Sequence, residues 1–216
     1  AEAARLKGED AEPAFRRAQD AYETVITETP TTSLMGESLF GAGLAAQRRG
    51  GNDDLQQALA LFGRVTTEFA QRQDLVSRAL LQSGRSLYLQ KEYGSSVSTY
   101  EEFVRRFPES RDVPRALFEL AVVHRDAEHS DLAVAAFDRI PPEADIWRKA
   151  GLAGGDYLLR LGDLERAETY LERARLAHGQ QELPAALTYI LGRVYFEQGR
   201  LDESVEAFST TIEISD

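Results

Sequence analysis

Three histidines, no cysteine and 36 carboxylates in 216 residues bound the chemistry open to this chain. Without cysteine there is no disulfide, no thiolate metal site and no thiol nucleophile, whatever the redox compartment. His124 and Glu128 are four residues apart, a spacing that on a helix puts both side chains on one face where they could share a metal. No third ligand lies nearby in sequence, and the periodicity described below asks for a bulky packing side chain at His124. A packed core histidine is therefore expected. The triplet His124-Arg125-Asp126 serves phosphoryl transfer only in a loop beside a glycine-rich phosphate clamp; here it falls mid-helix with no clamp. His178 stands near a helix end, just before Gly179, where a cation suits the helix dipole. Gly41-Ala42-Gly43 and Gly151-Leu152-Ala153-Gly154-Gly155 follow no strand and precede no Lys-Ser/Thr pair, so they read as close helix packing rather than a phosphate cradle. No pair of carboxylates is singled out by an apolar pocket, and Trp147, after Pro141-Pro142, reads as interlayer core. No catalytic residue, metal or cofactor is expected.

The composition is that of an ordered chain, 43% hydrophobic and 28% charged. No apolar stretch approaches the roughly 20 residues that span a bilayer. A net charge of -11 disfavours nucleic acid as a partner, because phosphates demand a basic surface. The basic residues are almost all arginine; Lys7, Lys91 and Lys149 are the lysines.

The positions that must build a scaffold recur. Leu191-Gly192, Tyr195, Gly199, Ser204, Phe208 and Thr211 set out an order: large then small, an aromatic three later, a turn glycine, then a small residue four before a large one. The same order runs through Leu120-Ala121, His124, Ala133, Phe137 and Ile140, and through Gly84, Leu87, Ser96, Tyr100 and Phe103. It runs again through Gly155, Leu158, Gly162, Ala167, Leu171 and Ala174. Gly84, Ala121, Gly155 and Gly192 are spaced by 37, 34 and 37 residues. A more divergent copy holds Gly43, Gly50, Ala58, Phe62 and Val65, while Ala18, Tyr22, Val25 and Pro30 read as the second helix of a copy whose first is cut short. Small residues let two helices approach, and large ones four positions on fill the space between layers. Pro114 and Pro184 suit a first helical turn, and no alternating run argues for a strand.

This pattern resembles the tetratricopeptide repeat, a helix–turn–helix unit of about 34 residues. The resemblance covers nearly the whole chain and implies an all-α fold: a right-handed α-solenoid of antiparallel helix pairs, with about five complete repeats plus a partial N-terminal one. A single solenoid domain over 1–216 is expected, with pairs near 1–29, 33–70, 74–107, 112–140, 144–178 and 183–214. The turn Phe107-Pro108-Glu109-Ser110, matched loosely by Val65 to Phe69, is similar to that of bacterial envelope members, the outer-membrane assembly lipoproteins and the Tol–Pal coordinators. That similarity favours the periplasm or cell envelope as compartment. The array starts inside a repeat and stops at Ile214-Ser215-Asp216, as expected of a segment of a longer protein, and Val205, Phe208 and Ile212 are expected to meet another helix or a second molecule.

In such arrays the first helix of each pair lines the concave face. Ten positive and five negative residues on the five complete first helices make that face basic on an acidic chain. The resemblance thus implies a groove built from Phe40, Arg78, Arg85, Tyr88, Arg115, Phe118, Arg125, Arg160, Tyr189, Arg193 and Phe196. Such a groove suits a peptide or protein partner bearing carboxylates, which arginine grips bidentately and aromatics anchor. The clamp some members use for a chaperone C-terminus is lacking: Leu81, Arg85, Phe118, Val122, Leu152 and Asp156 stand at its positions. A non-catalytic interaction scaffold is the expectation, with self-association through the terminal helices, or a regulatory module of a larger enzyme or envelope complex, as alternatives.

Overall fold

A computed structural model describes residues 11–28, 34–178 and 183–215. Pro30, Lys7, Gly179, Asp216 and the first helix expected before residue 11 lie outside them. Among the described residues there are eleven α-helices and no strand. Contacts divide the chain into two compact units, Ala1–Glu128 and His129–Asp216.

The first unit holds α1 (Ala11–Glu28), α2 (Met35–Arg49), α3 (Asn52–Glu68), α4 (Gln73–Leu89), α5 (Tyr93–Arg106) and α6 (Val113–Asp126). Each helix packs on the next, and α2 and α4, then α4 and α6, also touch as stacked layers. The repeat positions carry this packing. A Cβ on Gly43 would lie 2.6 Å from the ring of Phe62, and one on Gly84 would lie 2.8 Å from that of Tyr100. The Ser96 hydroxyl donates to the Gly84 carbonyl at 2.8 Å across the same contact. Leu39, Phe40, Phe62, Val65 and Leu75 form a continuous core, each side chain contributing about 1.5–3 kcal/mol by leaving water. Polar ties fix the register of the layers. Buried Gln47 on α2 donates to the Gln82 carbonyl and the Ser86 hydroxyl of α4, both at 2.9 Å. Arg49 joins three helices, donating to Gln19 of α1 at 2.6 Å and pairing with Asp54 of α3.

The second unit holds α7 (Ser130–Asp138), α8 (Trp147–Leu161), α9 (Leu164–His178), α10 (Ala185–Glu197) and α11 (Leu201–Ser215). Here Gly155 faces Leu171 and Gly192 faces Phe208, with Cβ positions 2.5 and 2.7 Å from those side chains. The Ser204 hydroxyl donates to the Gly192 carbonyl at 2.9 Å, as Ser96 does to Gly84. Trp147 is buried with its ring 5.4 Å from that of Tyr170, so it is core, as its place after the proline pair suggested. The glycine-rich Gly151–Gly155 segment is a helical surface pressed against Ala174, Tyr170 and Leu171.

The turn between the two helices of a repeat needs one residue with positive φ, seven positions after the small first-helix residue. Gly50, Gly162 and Gly199 take it with φ of 79, 80 and 77°. Lys91 and Glu128 hold the equivalent place with φ of 62°, a conformation that L side chains adopt at a cost. Glu128 therefore stands in a turn beyond the end of α6, and the expectation that it shares a helical face with His124 is corrected. Pro114 lies in the first turn of α6 as expected, whereas Pro184 is the residue just before α10. The turn after α5 is built by Phe107, whose N–H donates to Phe103, and by Ser110, whose hydroxyl accepts from the Asp112 N–H at 3.2 Å. Phe69 closes α3 in the same way, its N–H donating to Val65 at 3.1 Å.

Candidate partner-binding site

In the first unit α4 and α6 repeat one spacing: Arg78, Leu81, Arg85 and Tyr88 on α4, then Arg115, Phe118, Val122 and Arg125 on α6, with Leu81 and Phe118 buried. Steps of three and four residues keep each set on one face. Phe40 and Phe118 are 5% and 4% exposed. They are core side chains, and their expected role as groove anchors is corrected. The reason is local: the Phe40 ring packs on Phe62, and the Arg78 guanidinium lies 4.2 Å from its centroid. Arg78 and Arg72 both reach Glu37 at 3.2 Å, so this end of the face is neutralised.

At the other end the Tyr88 hydroxyl donates to Asp126 at 2.6 Å, and Arg125 donates to the same carboxylate at 2.8 Å. The hydrogen bond to Asp126, with burial, pushes the Tyr88 phenol up to about 12. Burial pulls the Asp126 carboxyl upward, but the Arg125 and Tyr88 hydrogen bonds outweigh it and hold the group below the usual carboxylate range. Arg125 is thereby engaged within the unit. Between these ends Arg85 and Arg115 are exposed and make no ion pair among the described residues. Both line a dimple of about 10 Å³, too small for a ligand, together with Glu119 and Tyr100.

In the second unit Arg160 pairs with Asp156 at 2.7 Å, an i, i+4 pair on α8. On α10, Tyr189 and Phe196 are 49% and 59% exposed, two turns apart, with half-buried Arg193 between them on the same face. Arg193 has no ion pair among the described residues. The Tyr189 ring lies 5.8 Å from that of Phe208 on α11, and its outer face is left in water with Phe196.

Elsewhere His124 is buried in α6 as core. His178 is the last residue of α9, at the helix end expected for it, and burial and then the charge of Arg148 lower its pKa. Among the described residues no three potential ligands converge on a metal-sized site, and no helix is long and apolar enough to cross a membrane. The sequence reading counted Glu37 and Asp126 among the acids of the first helices but did not pair them with Arg78 and Arg125. Glu37 reaches Arg78 from 41 residues away in the adjacent layer, whereas Asp126 pairs with Arg125, the residue before it.

A family model described as a tetratricopeptide repeat matches residues 81–145 and 152–216, together more than half of the chain. Solved structures of similar fold include the MamA protein, at 15% identity and a TM-score of 0.66 over 85% of this chain and 93% of that one. YrrB, described as a tetratricopeptide protein with an unusual peptide-binding site, is 19% identical with a TM-score of 0.62 over 91% and 93% of the two chains. A tetratricopeptide repeat protein from Parabacteroides merdae is 14% identical with a TM-score of 0.65 over 95% and 75%. No curated relative matches the sequence. The small-to-large contacts at Gly84, Gly155 and Gly192 give this match its physical content, and the chain belongs to the tetratricopeptide repeat family.

Proposed function

We propose that the protein is a non-catalytic interaction scaffold that binds a carboxylate-bearing peptide or protein segment through the outward faces of its first helices. The observation that carries the reading is the stripe Tyr189–Arg193–Phe196, exposed aromatics around an arginine with no ion pair. Arg85 and Arg115 supply a second patch of the same sign in the first unit. Arginine and aromatic side chains dominate binding energy at protein interfaces, and solenoid repeats commonly present such surfaces. YrrB, similar in fold, is described as having a peptide-binding site. The Phe107-Pro108-Glu109-Ser110 turn makes a bacterial envelope extract the first place to seek the partner.

The test is quantitative capture from such an extract by the purified chain, by Tyr189→Ala/Phe196→Ala and by Arg85→Glu/Arg115→Glu. Each double variant keeps its helicity and loses capture of the same species; for the aromatic pair the loss is about 30-fold, the value of one strong anchor. Capture unchanged in both variants refutes the proposed faces.

A second reading, self-association, draws on α11, where Val205 and Ile212 are exposed one turn either side of Phe208, on the same flank of the helix. Sedimentation over a concentration series decides it: mass that rises with concentration and returns to monomer in Ile212→Glu supports an assembly, and constant mass rules it out.

A further inference from the structure

Another face of α10 borders a different kind of site. Thr188, Leu191 and Tyr195 lie about 130° around the helix from Tyr189, Arg193 and Phe196, at 100° per residue. They border a cleft of about 300 Å³ between α9 and α11. Its floor includes Leu191 and Ala207. The Thr188 hydroxyl there is already bonded to that of Thr211 at 2.8 Å, so the floor offers surface rather than hydrogen bonds.

The walls carry three carboxylates, Glu172, Glu203 and Glu206, against one guanidinium, Arg175. Two of these acids are engaged: Glu172 accepts from the Tyr195 hydroxyl at 2.9 Å and pairs with Arg175 at 2.8 Å, and Glu203 pairs with Arg200. Glu206 is exposed and has no ion pair among the described residues. No three acids in the described residues converge to hold a metal. With Glu172 held by Arg175 and Glu203 by Arg200, the wall keeps one uncompensated negative charge, Glu206, and an apolar floor beside it matches a long alkyl stem ending in a cation.

We propose that this cleft seats a lysine or arginine side chain of a basic partner segment lying between α9 and α11. The alkyl stem rests on Leu191 and Ala207, and the charge sits at Glu206 beside Glu203. The site is separate from the aromatic stripe, and it selects the opposite charge.

The probe is a short alternating alanine–lysine peptide titrated into the isotope-labelled chain, with an alanine–glutamate peptide as control. The lysine peptide shifts the amide signals of Leu191, Glu203, Glu206 and Ala207, and the glutamate peptide does not. Glu206→Gln weakens binding about two- to fivefold, the upper part of the range for one solvent-accessible ion pair. Ala207→Leu, which fills the floor without changing charge, weakens it by at least as much. Glu213→Gln, the same charge change on α11 outside the cleft, has less than half the effect of Glu206→Gln. If Glu213→Gln weakens binding as much as Glu206→Gln, the attraction is that of the acidic chain as a whole and the proposal fails. It fails equally if binding is absent at millimolar peptide. Should Ala207→Leu lose its fold, the comparison of Glu206→Gln with Glu213→Gln decides alone.

Discussion

Replacing Gly84 by alanine puts a methyl carbon 2.8 Å from Cε1 and from Cζ of Tyr100 and 3.0 Å from its Cε2. Tyr100 is among the most deeply buried side chains, so its ring has little room to swing away. Overpacking of this kind costs about 1–3 kcal/mol. The helix propensity gained on replacing glycine returns about 1 kcal/mol, so the net expectation is a loss of about 1 kcal/mol. Gly63 in α3 is the control, because a Cβ there meets nothing within 4 Å. Gly63→Ala keeps the propensity gain alone and is expected to be about 1 kcal/mol more stable than the parent. The two variants make one chemical change in the same unit and differ only in what the methyl meets, so the predicted gap between them is about 2 kcal/mol. Urea unfolding followed by far-ultraviolet circular dichroism measures it. Gly84→Ala/Tyr100→Leu should recover part of the loss, since the smaller side chain vacates the space. If Gly84→Ala proves as stable as Gly63→Ala, close approach of α4 and α5 is not what demands a small residue, and the reading of the repeat positions fails.

Lys91→Gly and Glu128→Gly each relieve a left-handed residue and should stabilise by about 1 kcal/mol in the same urea assay, whereas Gly162→Ala should destabilise by a similar amount. Tyr88→Phe removes the hydrogen bond to Asp126 and should cost about 1 kcal/mol at pH 7. Because the Tyr88 pKa is raised in the folded state, to about 12, from about 10 when unfolded, that cost is fully present below pH 10 and fades as pH rises through about 12. The Asp126 carboxyl is held low, so its contribution is present above about pH 4 and lost as pH falls through its folded value. A stability profile from pH 2 to 6 should therefore be flatter for Asp126→Asn than for the parent.

Much of the fold was readable because the repeat writes one packing rule several times. Gly43, Gly84, Gly155 and Gly192 each announce a close helix contact, and Phe62, Tyr100, Leu171 and Phe208 announce what fills it. The left-handed turns were legible at Gly50, Gly162 and Gly199 but not at Lys91 and Glu128, where tertiary packing overrides the local preference. The candidate face was read less well. Periodicity put Phe40 and Phe118 on the right helices, but it does not say how far a side chain sinks between layers; both are core. Charge counting found the arginines and the acids but not their pairing: Glu37 reaches Arg78 from the neighbouring layer, and Asp126 holds its own neighbour Arg125 while accepting from Tyr88 of the next layer. What is left is a shorter list than the sequence offered: Arg85 and Arg115 in one unit, and Tyr189, Arg193 and Phe196 in the other. The acidic cleft between α9 and α11 had no sequence signature, since its walls come from three helices and its floor from small gaps in their packing.

The most direct test of the scaffold account is site-specific photo-crosslinking in the second unit. A photoreactive phenylalanine at Phe196, on the exposed stripe of α10, should form a discrete adduct with the captured partner. The same group at exposed Thr169 on α9 should form none. Adducts from Thr169 and none from Phe196 would contradict the account and move the interface off the first-helix face.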